Sequence, residues 1–169
     1  GGIDSAVAAA LYAHILKPAN VLLVNMPSQY NSPTTISLAH QLAENLGCRY
    51  VEIPIGESVD LTVRPIAAAG LSLTAFMREN VQARDRSSRI LAAAAAAFGG
   101  AFTCNANKSE MTVGYCTLYG DESGCLAALA DLWKHQVYAL GRWLNEQVYA
   151  RPVIPAEVFS IVPSAELSP

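Results

Sequence analysis

The chain has 169 residues, with 11 basic and 14 acidic side chains and a formal net charge of -3. That length supports one domain with a sizeable core. An apolar share of 52% against 15% charged residues excludes intrinsic disorder. No basic excess is present to grip a nucleic-acid backbone, and the longest apolar run, residues 90–98, falls well short of the roughly 20 residues of a membrane span. Neither a nucleic-acid nor a membrane partner is therefore expected, and a cytoplasmic location is. Cys48, Cys104, Cys116 and Cys125 form no Cys-x-x-Cys pair, and the histidines are equally scattered. Reduced thiols, not a structural zinc site, are the simplest reading.

In chain order, Gly1-Gly2-Ile3-Asp4-Ser5 leads into a breaker-free run of helix formers, residues 6–16, with Asp4 or Ser5 suited to cap it. Residues 21–26 are apolar without alternation and predict a fully buried strand. Ser32-Pro33 opens a helix whose apolar face ends at Leu46 and Gly47. Residues 49–53 predict a second strand. Residues 57–70 predict a helix with a kink or break at Pro65. A long helix from about Leu73 runs through the alanine tract 92–97 to Gly99-Gly100. Residues 101–104 predict a third short strand, and 105–110 read as a polar stretch before a Gly- and Tyr-rich loop. Residues 132–148 return to helical periodicity. Strands alternating with helices predict a parallel sheet with helices on both faces and ligands bound at the carboxyl ends of the strands. A glycine turn that opens a helix should follow a strand, so the first strand is expected upstream of Gly1.

The opening loop carries chemistry on its own terms. Two glycines let backbone N–H groups approach a phosphate, and the helix start adds partial positive charge. The loop is followed in order by Asn80-Val81-Gln82-Ala83-Arg84, Asn107-Lys108-Ser109-Glu110, Gly114-Tyr115, Thr117-Leu118-Tyr119-Gly120-Asp121, Asp131-Leu132-Trp133-Lys134 and Pro163-Ser164-Ala165-Glu166-Leu167. Together these resemble the synthetase domain of the NAD synthetases, ATP pyrophosphatases with an adenine-nucleotide alpha-hydrolase-like (Rossmann-like) α/β fold.

The resemblance implies an AMP-forming carbon–nitrogen ligase. ATP adenylates the nicotinate carboxylate of deamido-NAD, and ammonia then displaces AMP. It further implies Mg2+ and a homodimer or higher homo-oligomer. The alanine tract 92–97 fits either that interface or an ordinary core helix. Carried over by motif, Gly1, Gly2, Asp4, Ser5, Asn105, Lys134 and Ser164 would bind ATP, with Asp4 and Glu110 on the metal. Asn80, Arg84, Arg86, Glu110, Tyr115, Tyr119 and Asp121 would take deamido-NAD. Lys134 and Asp121 would be the catalytic pair. No covalent nucleophile is needed.

Asn105-Ala106 stands where the family has Thr-Gly. The Thr-Leu-Tyr-Gly-Asp-x-x-Gly form of residues 117–124 is closer to the glutamine-dependent class, which implies an upstream nitrilase-like glutaminase domain. The sequence is thus expected to be part of a longer chain, truncated at both ends. The alternatives are another ATP pyrophosphatase with a different acceptor, resembling GMP synthetase or tRNA-modifying enzymes, or a nucleotide-binding module without turnover.

Overall fold

The computed structural model describes residues 2–161. Gly1 and Ser164 lie outside these. Helix α1 spans Ile3–Leu16, with Gly2 rather than Asp4 or Ser5 at its cap position. Asp4 and Ser5 instead occupy the first helical turn, where the amino-terminal N–H groups have no intrahelical acceptor. Strand β1 (Leu22–Asn25) and strand β2 (Arg49–Glu52) pair in parallel, Leu22 opposite Arg49 and Asn25 opposite Glu52. Helix α2 (Pro33–Leu46) makes the crossover between them. Ser32 caps it by accepting from Thr35 N–H, and Gly47 ends it in the left-handed conformation, as its sequence predicts.

Further expectations change. All of β1 is half-buried rather than fully buried. Residues 101–104 do not form a strand. Their backbone meets the 125–126 segment through only two bonds, Cys104 N–H to Leu126 O and Cys125 N–H to Phe102 O, too few to build a ladder. Helix α3 (Gly56–Ala68) is not broken at Pro65. Only Val63 of this helix is buried, and Leu61, to whose carbonyl Pro65 cannot donate, is 66% exposed.

The long helix is composite. Helix α4 (Ala75–Arg84) passes through a π-helical segment, Asp85–Leu91, into α5 (Ala92–Phe98), which Gly99 terminates. The buried Asp85 anchors the π segment to α3. It accepts from Ser58 Oγ at 3.1 Å and from Thr62 Oγ1 at 3.3 Å, and pairs with Arg89 Nη1 at 3.2 Å. No residue of α5 is fully buried, so the alanine tract is not an ordinary core helix within this chain.

A short helix, α6 (Lys108–Val113), occupies part of the stretch read as a polar connector. Helix α7 (Lys134–Trp143) continues into a π-helical turn, Leu144–Val148. The core gathers the small residues of α1, Ala6, Ala10 and Ala13 with Val7, against Leu38 and Leu42 of α2 and Val137 of α7. Small side chains let α1 sit close to both neighbours. That packing sets the first turn of α1 beside the first turn of α7.

Candidate active site

Lys134 opens α7, and its ammonium lies between two carboxylates. Nζ bonds Asp4 Oδ2 on α1 and sits 3.3 Å from Glu110 Oε1 on α6. Asn107 completes the cluster. It is 0% exposed. Its Nδ2 donates to Asp4 Oδ1 at 2.8 Å, its Oδ1 accepts from Glu110 N–H at 3.2 Å, and its own N–H donates to Glu110 Oε2 at 3.1 Å. The last two bonds form a capping box that starts α6. Ser109 Oγ accepts from Lys134 N–H at 3.0 Å, which fixes α6 against α7. Residues more than 100 positions apart are thereby held in one network.

The cluster forms one wall of a cavity of about 850 Å³. Gly2 and Ser5 line it at the open end of α1. Ser5 Oγ, exposed, donates to Gly2 O at 3.0 Å. Met26, just past the carboxyl end of β1, also lines the cavity, as expected for an open parallel sheet.

Helix α4, the π segment and the loop after α6 also contribute to the lining. Asn80, Arg86, Asn105, Tyr115 and Asp121 all line the cavity. Arg86 donates from Nε to Met26 O at 3.3 Å and from Nη2 to Asn31 Oδ1 at 3.3 Å. Asp121 Oδ1 accepts from Thr117 N–H at 2.8 Å, and Asn80 Oδ1 accepts from Thr117 Oγ1 at 2.8 Å.

Among the described residues, two of those assigned lie off the cavity. Arg84 Nε donates to Leu118 O at 3.2 Å, and Tyr119 is 75% exposed, with a left-handed φ of 61°. Asn107 and Thr117 hold the site together, and the sequence reading gave neither a role. The signal for Asn107 was present in the Asn-x-x-Glu spacing of a capping box.

The family model for NAD synthase matches residues 1–169. The chain belongs to the NAD synthase family. Curated relatives include the glutamine-dependent NAD(+) synthetase of Synechocystis sp., 45% identical over all of this chain and 30% of the relative. That of Thermotoga maritima is 38% identical over all of this chain and 29% of the relative. The chain thus spans about a third or less of these relatives. Among solved structures, glutamine-dependent NAD+ synthetase from Acinetobacter baumannii, in complex with ADP, superposes with a TM-score of 0.88 at 32% identity, covering 97% of this chain and 31% of that one. NMN synthetase from Francisella tularensis superposes at 0.84 with 28% identity, covering 99% of this chain and 64% of that one.

Within this NAD synthase fold the electrostatics are set by proximity. Burial pulls the Lys134 ammonium down, but the hydrogen bond and charge of Asp4 and the charge of Glu110 outweigh it and hold Lys134 above the ordinary lysine value. The Cys116 thiol, on the cavity lining, is pushed up to about 11 by its hydrogen bond to Glu122, reinforced by burial. No helix among the described residues is long and apolar enough to cross a membrane.

Asp4 and Glu110 also suit a metal. Two hard carboxylates converge on one point, and Mg2+ is commonly held by one or two carboxylates plus substrate phosphates. The Lys134 ammonium stands between the two, so a cation and this lysine would divide the same negative charge.

Proposed function

We propose that the chain is the synthetase portion of an enzyme that amidates deamido-NAD to NAD with ATP, and that its ammonia comes from glutamine through a glutaminase domain elsewhere in the natural chain. The observation that carries this reading is Lys134 bridged between Asp4 and Glu110 at the mouth of α1. Gly2, Ser5 and the unpaired N–H groups of the first turn of α1 offer a phosphate cradle. Lys134 supplies positive charge where the α-phosphate is attacked. Gly1 and Ser164 belong to the same assignment by motif, and Asn105 is set at the nucleotide base.

The chemistry has two steps. A nicotinate carboxylate oxygen attacks the α-phosphorus, the bond to the bridging oxygen breaks, and pyrophosphate leaves. Ammonia nitrogen then attacks the acyl carbon, the carbon–oxygen bond to AMP breaks, and the ammonium-derived proton is lost. Mg2+ held by Asp4 and Glu110 would supply charge neutralisation at the phosphates. Lys134 holds the oxygens that carry the transferred charge. Asn80, Arg86, Glu110, Tyr115 and Asp121 form the acceptor side, where the Arg86 guanidinium suits a carboxylate or phosphate. Arg84 serves it from α4 by holding the Leu118 carbonyl, and Tyr119 belongs to the loop so held.

The exposed face of α5 suits pairing of two copies, since small side chains allow close helix approach. Free thiols and dependence on ATP agree with a cytoplasmic enzyme.

A second acceptor is favoured by one finding, the likeness to an NMN synthetase at a TM-score of 0.84. The test is to supply the full-length protein with ATP, Mg2+ and ammonia, together with deamido-NAD, nicotinate mononucleotide or xanthosine monophosphate in separate reactions. Equal yields of AMP, pyrophosphate and NAD from the dinucleotide are expected. Amidation of the mononucleotide alone would replace the acceptor. ATP binding without pyrophosphate would leave a nucleotide-binding module, and release only with xanthosine monophosphate would point to GMP-synthetase-like chemistry.

A further inference from the structure

One face of the composite helix meets one loop at three successive points. Asn80, Arg84 and Ser88 are spaced four apart, and they bond Thr117, Leu118 and Tyr119 in order. Thr117 Oγ1 donates to Asn80 Oδ1 at 2.8 Å, Arg84 Nε donates to Leu118 O at 3.2 Å, and Ser88 Oγ donates to Tyr119 O. In a regular α-helix, residues four apart drift steadily around the axis, because each turn takes 3.6 residues. Ser88 lies in the π-helical segment, whose wider turn offsets that drift and keeps it in line with Asn80 and Arg84.

The loop needs this restraint. Tyr119 holds a left-handed φ of 61°, which is costly for a bulky side chain. Immediately after it, Gly120 seats the turn against α4 so closely that an added Cβ would stand 3.0 Å from Ala83 Cβ and from Thr117 Cβ. Gly120 N–H then donates to Thr117 O at 2.9 Å, and Thr117 N–H donates to Asp121 Oδ1 at 2.8 Å. The orientation of Asp121 in the cavity therefore rests on a turn whose strained residue is held from outside.

We propose that Ser88, with Arg84 beside it, is a positioning residue for the acceptor half of the site: Ser88 bonds the Tyr119 carbonyl while Arg84 bonds that of Leu118, which holds the Thr117–Asp121 turn and so aims the Asp121 carboxylate. Ser88 itself does not line the cavity, while its neighbour Ser87 does. The inference rests on the acceptor assignment made above, and it adds a residue to which the motifs give no role.

The test uses the full-length protein with Ser88→Ala and Ser88→Thr. Ser88 is exposed, so loss of its hydroxyl leaves the core intact. Ser88→Ala is expected to raise KM for deamido-NAD about three- to tenfold, the scale of one hydrogen bond, with KM for ATP unchanged. In the unliganded protein it should also speed hydrogen exchange at the Thr117 and Gly120 amides. Ser88→Thr restores both. Wild-type exchange at those amides in Ser88→Ala, or equal rises in both KM values, overturns the proposal. If the wild-type protein releases no pyrophosphate with deamido-NAD, the functional reading fails, and the exchange measurement still decides the clamp.

Discussion

Asn107 Nδ2 donates to Asp4 Oδ1 at 2.8 Å, joining the cap of α6 to the first turn of α1. The carboxylate has Lys134 on its other oxygen, so one buried amide orients the residue that faces both the lysine and the phosphate cradle. Asn107→Ala removes the helix cap and a charge-assisted bond together. The expected loss is about 2.5–4 kcal/mol of folding stability, from roughly 1 for a cap and 1.5–3 for a bond to a charged group. Urea unfolding measures it. A loss below half a kcal/mol would mean that the network relaxes freely around the missing amide.

Lys134→Met separates catalysis from stability. The ammonium and its partners are partly exposed, so deletion should cost only about 1–2 kcal/mol of stability. Removing a preorganised charge from the reacting phosphate should lower kcat about 10²–10³-fold. Parallel losses in melting temperature and turnover would reduce Lys134 to a structural residue.

The pH dependence of that lysine has a definite sign. Its folded value is raised, so its contribution to stability is complete below the unfolded value of about 10.4 and disappears only as pH rises through the higher folded value. The rate profile should accordingly show no alkaline limb from Lys134 at pH 7–9. A limb near pH 8 that moves in Lys134→Arg would show that burial, not Asp4, governs the group.

Much of this arrangement is visible in the sequence. Ser32-Pro33 and Gly47 bracket α2 because caps are local chemistry, and Asp4, Glu110 and Lys134, named from separate motifs, meet in one cluster. What escaped depends on contacts between distant segments. Helix α6 has six residues, too few to show a hydrophobic period. The π segment follows from the anchoring of Asp85 by Ser58 and Thr62 on another helix. Residues 101–104 have the composition of a strand but meet a partner over two bonds only. Arg84, a deamido-NAD residue by motif, donates from Nε to a loop carbonyl, a contact that no local pattern announces.

Gly124 tests the packing of that loop region. Its φ is +134°, and a Cβ would stand 2.5 Å from Cys104 N and 2.7 Å from Thr103 C, both backbone atoms that cannot swing aside. Gly124→Ala should destabilise by about 2–4 kcal/mol. A thermal melt indistinguishable from wild type would mean the two segments separate at little cost.

The thiols should differ in reactivity. With its value near 11, Cys116 stays protonated at neutral pH despite lining the cavity, so alkylation there should be slow at pH 8 and accelerate toward pH 11. Glu122→Gln removes the charge that holds the proton and should speed the reaction at pH 8. Mass spectrometry of iodoacetamide-treated protein reads the site, and fast labelling of Cys116 in the wild type would contradict the assigned hydrogen bond.

The ion pair between Asp4 and Lys134 spans 130 positions of the chain. During synthesis α1 leaves the ribosome long before its cationic counterpart exists. A nascent polypeptide is therefore expected to acquire affinity for nucleotide late and abruptly, when α7 clears the exit tunnel, which makes ligand capture by stalled chains of graded length a direct reporter of the final docking event.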